Sequence, residues 1–125
     1  MLEILLAEDD KNFGNVLKSE LEEDGYIVTL VNDGVEAVLK FIGKGSDYDF
    51  VLLDIKMPML DGINTLKIIK KLNPDVPAIT FSGNAGSGEM AESVRAGAIR
   101  CLTKPFEIAQ LKNDIKKYIA RHHGA

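Results

Sequence analysis

A chain of 125 residues, 46% hydrophobic and 27% charged, has the size and composition of one globular domain, which excludes fibrous and intrinsically disordered classes. Its net charge of −4, with lysines and arginines dispersed along the chain, offers no electrostatic footprint for nucleic acid, so direct DNA binding is not expected. The first residues are too short and too acidic a run for a signal or membrane segment, and the lone Cys101 cannot close an internal disulfide, which together predict a cytoplasmic location with Cys101 as a small buried side chain.

Taken in order, Leu2 to Ala7 is an apolar run that stops abruptly at Glu8-Asp9-Asp10, the pattern of a central strand ending in acidic residues. Phe13, Val16, Leu17 and Leu21 then recur at helical spacing, with Asp10 as the cap and Gly25 as the stop. Tyr26 to Val31 reads as a β-branched strand. Asp33 and Glu36 form a variant capping box, and the helix they open runs to about Ile42 with Val35, Val38, Leu39 and Ile42 as its expected inward stripe. Phe50 to Leu53 is too short for a helix and reads as a buried strand ended by Asp54. Pro58 bars regular pairing beyond it, and Asp61-Gly62 caps a helix through Leu72 with Ile63, Leu66, Ile69 and Leu72 facing inward.

Val76 to Phe81 is the next expected strand, followed by the glycine-rich segment Ser82 to Gly88, which should be mobile and able to approach a ligand. The helix after it, Glu89 to Ala96, has only a small apolar stripe of Met90, Ala91, Val94 and Ala98, so low local stability is expected before Gly97 closes it. Ile99 to Thr103 forms a fifth strand, and Lys104-Pro105-Phe106 turns the chain into a last helix. Ile108, Leu111, Ile115 and Ile119 should face inward there, with Lys112, Lys116, Lys117 and Arg121 solvated. Five strands alternating with five helices predict an α/β fold, a doubly wound five-stranded parallel sheet in the flavodoxin-like order 2-1-3-4-5 with helices on two faces. No repeat or linker interrupts residues 1–125, so a single domain is expected.

In that order strands one and three are neighbours, which brings Glu8, Asp9 and Asp54 together at the topological switch point. Like charges at close range raise one another's affinity for protons unless a cation shields them, and hard oxygen donors suit Mg²⁺, or Mn²⁺ in its place. Asp9 and Asp54 are the expected direct ligands. Ser82 ends strand four and Lys104 ends strand five at the same sheet edge, where the lysine can swing toward the carboxylates. Three carboxylates, one divalent cation and one lysine sum to zero charge, and such a site can accept an incoming phosphoryl group.

Glu8-Asp9 after strand one, Asp54 after strand three, Met57-Pro58 and Asp61-Gly62 just beyond, Ser82 after strand four and Lys104-Pro105 after strand five together give a chain that resembles, over its whole length, the receiver domain of two-component response regulators. The resemblance implies that Asp54 is a phosphoacceptor for a sensor histidine kinase or histidine phosphotransfer protein, and that the domain is not a turnover enzyme. It implies Mg²⁺ held by Asp9, by Glu8 through water, by Asp54 and by the Lys56 main-chain carbonyl. Ser82 and Lys104 would contact the phosphoryl group, and a downstream protein would read helix four, strand five and helix five, with pairing of two copies through that face left open. Cys101 stands where many receivers carry an aromatic switch residue, so coupling through that side chain is in doubt. Lys56 and Asn84 border the path of attacking water and would tune the phosphoryl lifetime. The rival readings are a non-phosphorylated pseudo-receiver acting as an interaction module, and a flavin binder of the same fold, whose phosphate Glu8-Asp9-Asp10 would repel. A metal-dependent phosphatase is weaker, because Lys56 occupies the place of its second carboxylate.

Overall fold

The computed structural model describes residues 2–83 and 86–122. Short apolar runs extend into strands where both faces are covered, and amphipathic segments between them become crossover helices. The order is β1 (Glu3–Ala7), α1 (Lys11–Glu23), β2 (Ile27–Val31), α2 (Gly34–Gly43), β3 (Phe50–Asp54), α3 (Gly62–Leu72), β4 (Ala78–Ser82), α4 (Ser87–Arg95), β5 (Arg100–Thr103) and α5 (Ile108–His122). All strand pairs are parallel, in the order β2-β1-β3-β4-β5, as the alternating pattern predicts.

Alternation along each strand divides the core. Ile4, Leu6, Phe50, Leu52, Ile79 and Phe81 face Leu17 and Leu21 of α1 and Leu111 and Ile115 of α5. Leu5, Ala7, Val51, Leu53 and Ala78 face Ala37 and Phe41 of α2 and Leu66 and Ile69 of α3. The expected caps are present: Asp10, Asp33 and Asp61 accept from the backbone N–H groups of Phe13, Glu36 and Asn64 at 3.2, 2.7 and 2.8 Å. Gly25, with φ of 90°, follows α1 where a left-handed residue is needed.

Several inward assignments are corrected. The stripe Val35, Leu39 and Ile42 of α2 is 40%, 63% and 51% exposed, whereas Gly34, Ala37 and Phe41 are buried. The helix is rotated by one residue, about 100°, from the expected face. Gly34 explains the rotation: a β-carbon on it would lie 2.0 Å from the Leu60 carbonyl oxygen, so α2 meets the loop before α3 through its smallest residue. Val16 of α1, Leu72 of α3, and Ala91 and Val94 of α4 are likewise exposed. Lys112 is not simply solvated: its Nζ lies 3.2 Å from Glu20 and 3.6 Å from Asp24, tying α5 to the end of α1.

Met59, in the loop between β3 and α3, is 80% exposed with φ of 72°. A side chain with a β-carbon is strained in that region. Met59→Gly is expected to raise the unfolding free energy by about 1 kcal/mol, read from the urea midpoint at unchanged slope. An unchanged or lower midpoint would contradict the strain.

Candidate functional site

Backbone hydrogen bonds fix the C-terminal edge of the sheet before any side chain acts. The N–H of Glu8 donates to the Val31 carbonyl at 2.9 Å, and the Asn32 side-chain amide donates to the Glu8 carbonyl at 3.0 Å. Ile55 N–H donates to the Phe81 carbonyl at 2.9 Å, and Gly62 N–H donates back to the Ile55 carbonyl at 2.7 Å. Lys104 N–H donates to the Ser82 carbonyl at 2.8 Å. The ends of β1, β3, β4 and β5 are thereby held in one row, where open α/β sheets bind ligands.

The predicted residues meet there. Ligand oxygens of Glu8, Asp9 and Asp54 all lie within 4.8 Å of one another. Glu8 is fully buried and Asp54 is 4% exposed, whereas Asp9 faces solvent. Lys104 Nζ reaches across to Glu8 Oε1 at 2.5 Å and Asp54 Oδ2 at 3.0 Å. Asp54 Oδ1 accepts from the Lys56 N–H at 3.1 Å, and Glu8 Oε2 accepts from the Asp10 N–H at 3.0 Å. The Lys56 side chain is exposed, outside the cluster. Ser82 is buried at the end of β4. Asn84 lies outside the described residues.

Burial, followed by hydrogen bonding with the Asp54 carboxylate, pushes the Glu8 pKa from 4.5 up to about 7, against the opposing pull of Lys104. Burial also disfavours the Lys104 charge, but the Glu8 and Asp54 carboxylates outweigh it and hold the pKa above 10.5. In the metal-free protein, Glu8 thus binds its proton more tightly folded than unfolded. That stabilising contribution is full below about pH 4.5 and is lost as pH rises through about 7. A divalent cation competes with the proton, so Mg²⁺ should raise Tm more at about pH 8 than at about pH 6. A Mg²⁺ effect that is equal at the two values, or larger at the lower one, would contradict this electrostatic reading.

The seat of Lys104 is not foretold by the sequence. Lys104 Nζ sits 4.8 Å from the Phe13 ring centroid and 5.4 Å from that of Phe81. Phe106 packs against both rings at 5.7 and 5.5 Å, so aromatic faces as well as carboxylates hold the lysine in place. The helical spacing of Phe13 indicated burial, but which ring would meet the lysine depends on tertiary packing. Cys101 is buried, as expected of a lone small side chain, against Ile55 and Ile63, with Met90 and Ala96 packed on the same cluster. An open cleft of about 690 Å³, lined by Asp9, Lys56, Met57, Pro58 and Glu89 among others, runs beside the carboxylates between the β3–α3 loop and α4.

Residues 4–116 match the family model described as the response regulator receiver domain. The chain belongs to this family. It is 33% identical over 123 residues to the transcriptional regulatory protein ZraR of Escherichia coli (strain K12), covering 98% of this chain and 27% of that protein. Thus the chain spans about a quarter of that curated relative's length. Among solved structures, it superposes with a TM-score of 0.92 on a CheY-like response regulator receiver domain protein from Methanospirillum hungatei JF-1, at 27% identity over 99% and 98% of the two chains. It superposes with a TM-score of 0.84, at 35% identity over 95% and 98%, on the receiver domain of sensor histidine kinase PA1611 from Pseudomonas aeruginosa PAO1, a structure with a magnesium ion coordinated in the active site cleft. Residues 4–116 are therefore a receiver domain of the kind found in two-component response regulators. The interaction-only alternative is not favoured. Among the described residues no helix is long and apolar enough to cross a membrane.

Proposed function

We propose that Asp54 is the phosphoacceptor and that its donor is a phosphohistidine on a sensor kinase or histidine phosphotransfer protein. The observation that carries this reading is the position of Asp54, whose two carboxylate oxygens are oriented by the Lys56 N–H and the Lys104 ammonium beside two further carboxylates. One Asp54 oxygen forms the new bond to phosphorus as the nitrogen–phosphorus bond breaks, and the electron pair of that bond stays on the imidazole.

The three carboxylates are hard oxygen donors, of which Mg²⁺ needs one or two as direct ligands, and Asp9 is open to solvent, so the residues fit the ion. Asp9 and Asp54 would hold it directly, Glu8 through water, and the Lys56 carbonyl would complete the protein ligands; Mn²⁺ could replace it. When bound, the ion neutralises charge on the phosphoryl oxygens. Lys104 shares its charge between Glu8 and Asp54, and a phosphoryl group on Asp54 offers it a stronger anion to pair with. Ser82, buried at the next strand end, donates its hydroxyl to another phosphoryl oxygen. The exchange of one negative charge for nearly two biases the β4–α4 region, and a downstream protein reads α4, β5 and α5. Val94 and Ile99, 52% and 47% exposed, supply apolar contacts on that face, which two copies of the chain could also share. Cytoplasmic location follows from the same reading, and Asn84 joins Lys56 in setting the phosphoryl lifetime.

The test is incubation with phosphoramidate, whose phosphorus–nitrogen bond imitates that of phosphohistidine, with Mg²⁺ or with a chelator. Intact mass should show the gain of one phosphoryl group with Mg²⁺ and none with chelator. Equal uptake in both would remove the metal from the proposal, and no uptake by folded protein would remove the acceptor.

A further inference from the structure

The sequence leaves open how a receiver with a small thiol at position 101 could pass a signal from Ser82 to α4. In parallel register Thr80 of β4 stands opposite Cys101 of β5, and alternation puts Thr80 on the same sheet face as Ser82, two residues further along. Thr80 and Ser93 are both fully buried, and their hydroxyls are hydrogen-bonded to each other. Among the described side chains of α4, Ser93 alone is buried; Met90 is partly covered, and Ala91 and Val94 face solvent. The helix is thus docked on the sheet chiefly through a polar pair, with Met90 packed on the cluster that contains Cys101.

We propose that the Thr80–Ser93 hydroxyl pair couples the phosphorylation site to α4, in the place of a rotating aromatic side chain. The inference rests on the reading of Asp54 as acceptor and Ser82 as phosphoryl contact. Unlike an apolar contact, which slides, a buried hydrogen bond is directional and costly to leave unmade, so it transmits a small displacement as a change of state. When Ser82 is drawn toward the phosphoryl group, the end of β4 moves with it. Thr80 Oγ1 then leaves its alignment with Ser93 Oγ, and α4 is released. Cys101 opposite Thr80 is small enough to leave room for that change. Thr80 and Ser93 touch neither metal nor phosphoryl group, so both are positioning residues.

The experiment is amide hydrogen exchange across α4 on the full chain, with and without Mg²⁺ and beryllofluoride, a stable stand-in for the phosphoryl group. Phosphoryl uptake is measured separately on each protein by intact mass. In the wild type, beryllofluoride should speed exchange in α4. In Ser93→Ala and in Thr80→Val, α4 should already exchange about tenfold faster without ligand, and beryllofluoride should add little. The double variant should be no faster than either single one, Thr80→Ser should restore wild-type behaviour, and uptake should be unchanged throughout. Either an α4 response to beryllofluoride that persists at full size in both single variants, or a wild-type α4 indifferent to it, would overturn the coupling. Uptake on the same proteins shows in either case whether the acceptor reading still stands.

Discussion

Asp54→Asn is expected to abolish phosphoryl uptake while leaving the protein folded. The amide preserves the shape of the side chain but has no nucleophilic oxygen anion, so the loss should exceed about a hundredfold and reach the detection limit of intact mass. Stability should not fall, because the substitution removes one of three crowded carboxylates, while the raised Glu8 pKa, set chiefly by burial, loses only the smaller contribution of the Asp54 charge. Lys104 keeps Glu8 as its partner at 2.5 Å. A thermal midpoint equal to or above that of the metal-free wild type, together with absent uptake, is the expected pair of results. Uptake retained in this variant would place the acceptor elsewhere.

Gly62→Ala should be the most damaging single substitution at the sheet edge. A β-carbon there would sit 2.1 Å from the Asp54 carbonyl oxygen and 2.7 Å from Ile55 Cα. Both are backbone atoms, so no rotamer change relieves the clash, and α3 must back away from the end of β3. A loss of about 3 to 5 kcal/mol is expected from such overpacking, a large part of the stability of a domain this size. The displaced residue is Asp54 itself, so Mg²⁺ stabilisation should fall with it. Gly43→Ala is the matched control, since a β-carbon at that position meets nothing within 4 Å; its stability should stay within about 1 kcal/mol of wild type or rise. If Gly62→Ala unfolds at wild-type denaturant concentration, the close packing of α3 on β3 is wrong.

The fold was legible because period-2 and period-3.6 patterns alternate along the chain, and the strand order they imply puts Glu8, Asp9, Asp54 and Lys104 at one edge. The caps at Asp10, Asp33 and Asp61 were legible for a local reason: a side-chain oxygen and a backbone N–H three residues on need no tertiary information. What failed depends on how elements meet. Val35, Leu39 and Ile42 of α2 look like a core stripe, yet the close approach of Gly34 to the Leu60 carbonyl turns them to solvent. The same holds for α4, where an apolar stripe was expected and a buried serine on Thr80 is found. Hydrophobic pattern cannot weigh a hydroxyl pair whose members are 13 residues apart. The aromatic seat of Lys104 was hidden because Phe13, Phe81 and Phe106 come from different elements, and no motif spans them.

The most direct measurement is the position of the phosphoryl group after phosphoramidate treatment with Mg²⁺. Borohydride reduction converts an aspartyl phosphate to homoserine, and peptide sequencing by mass then reads the modified position. Homoserine is expected at residue 54 alone, and only when Mg²⁺ is present. Modification at Asp9, at a histidine or at any other position, with residue 54 intact, would contradict it.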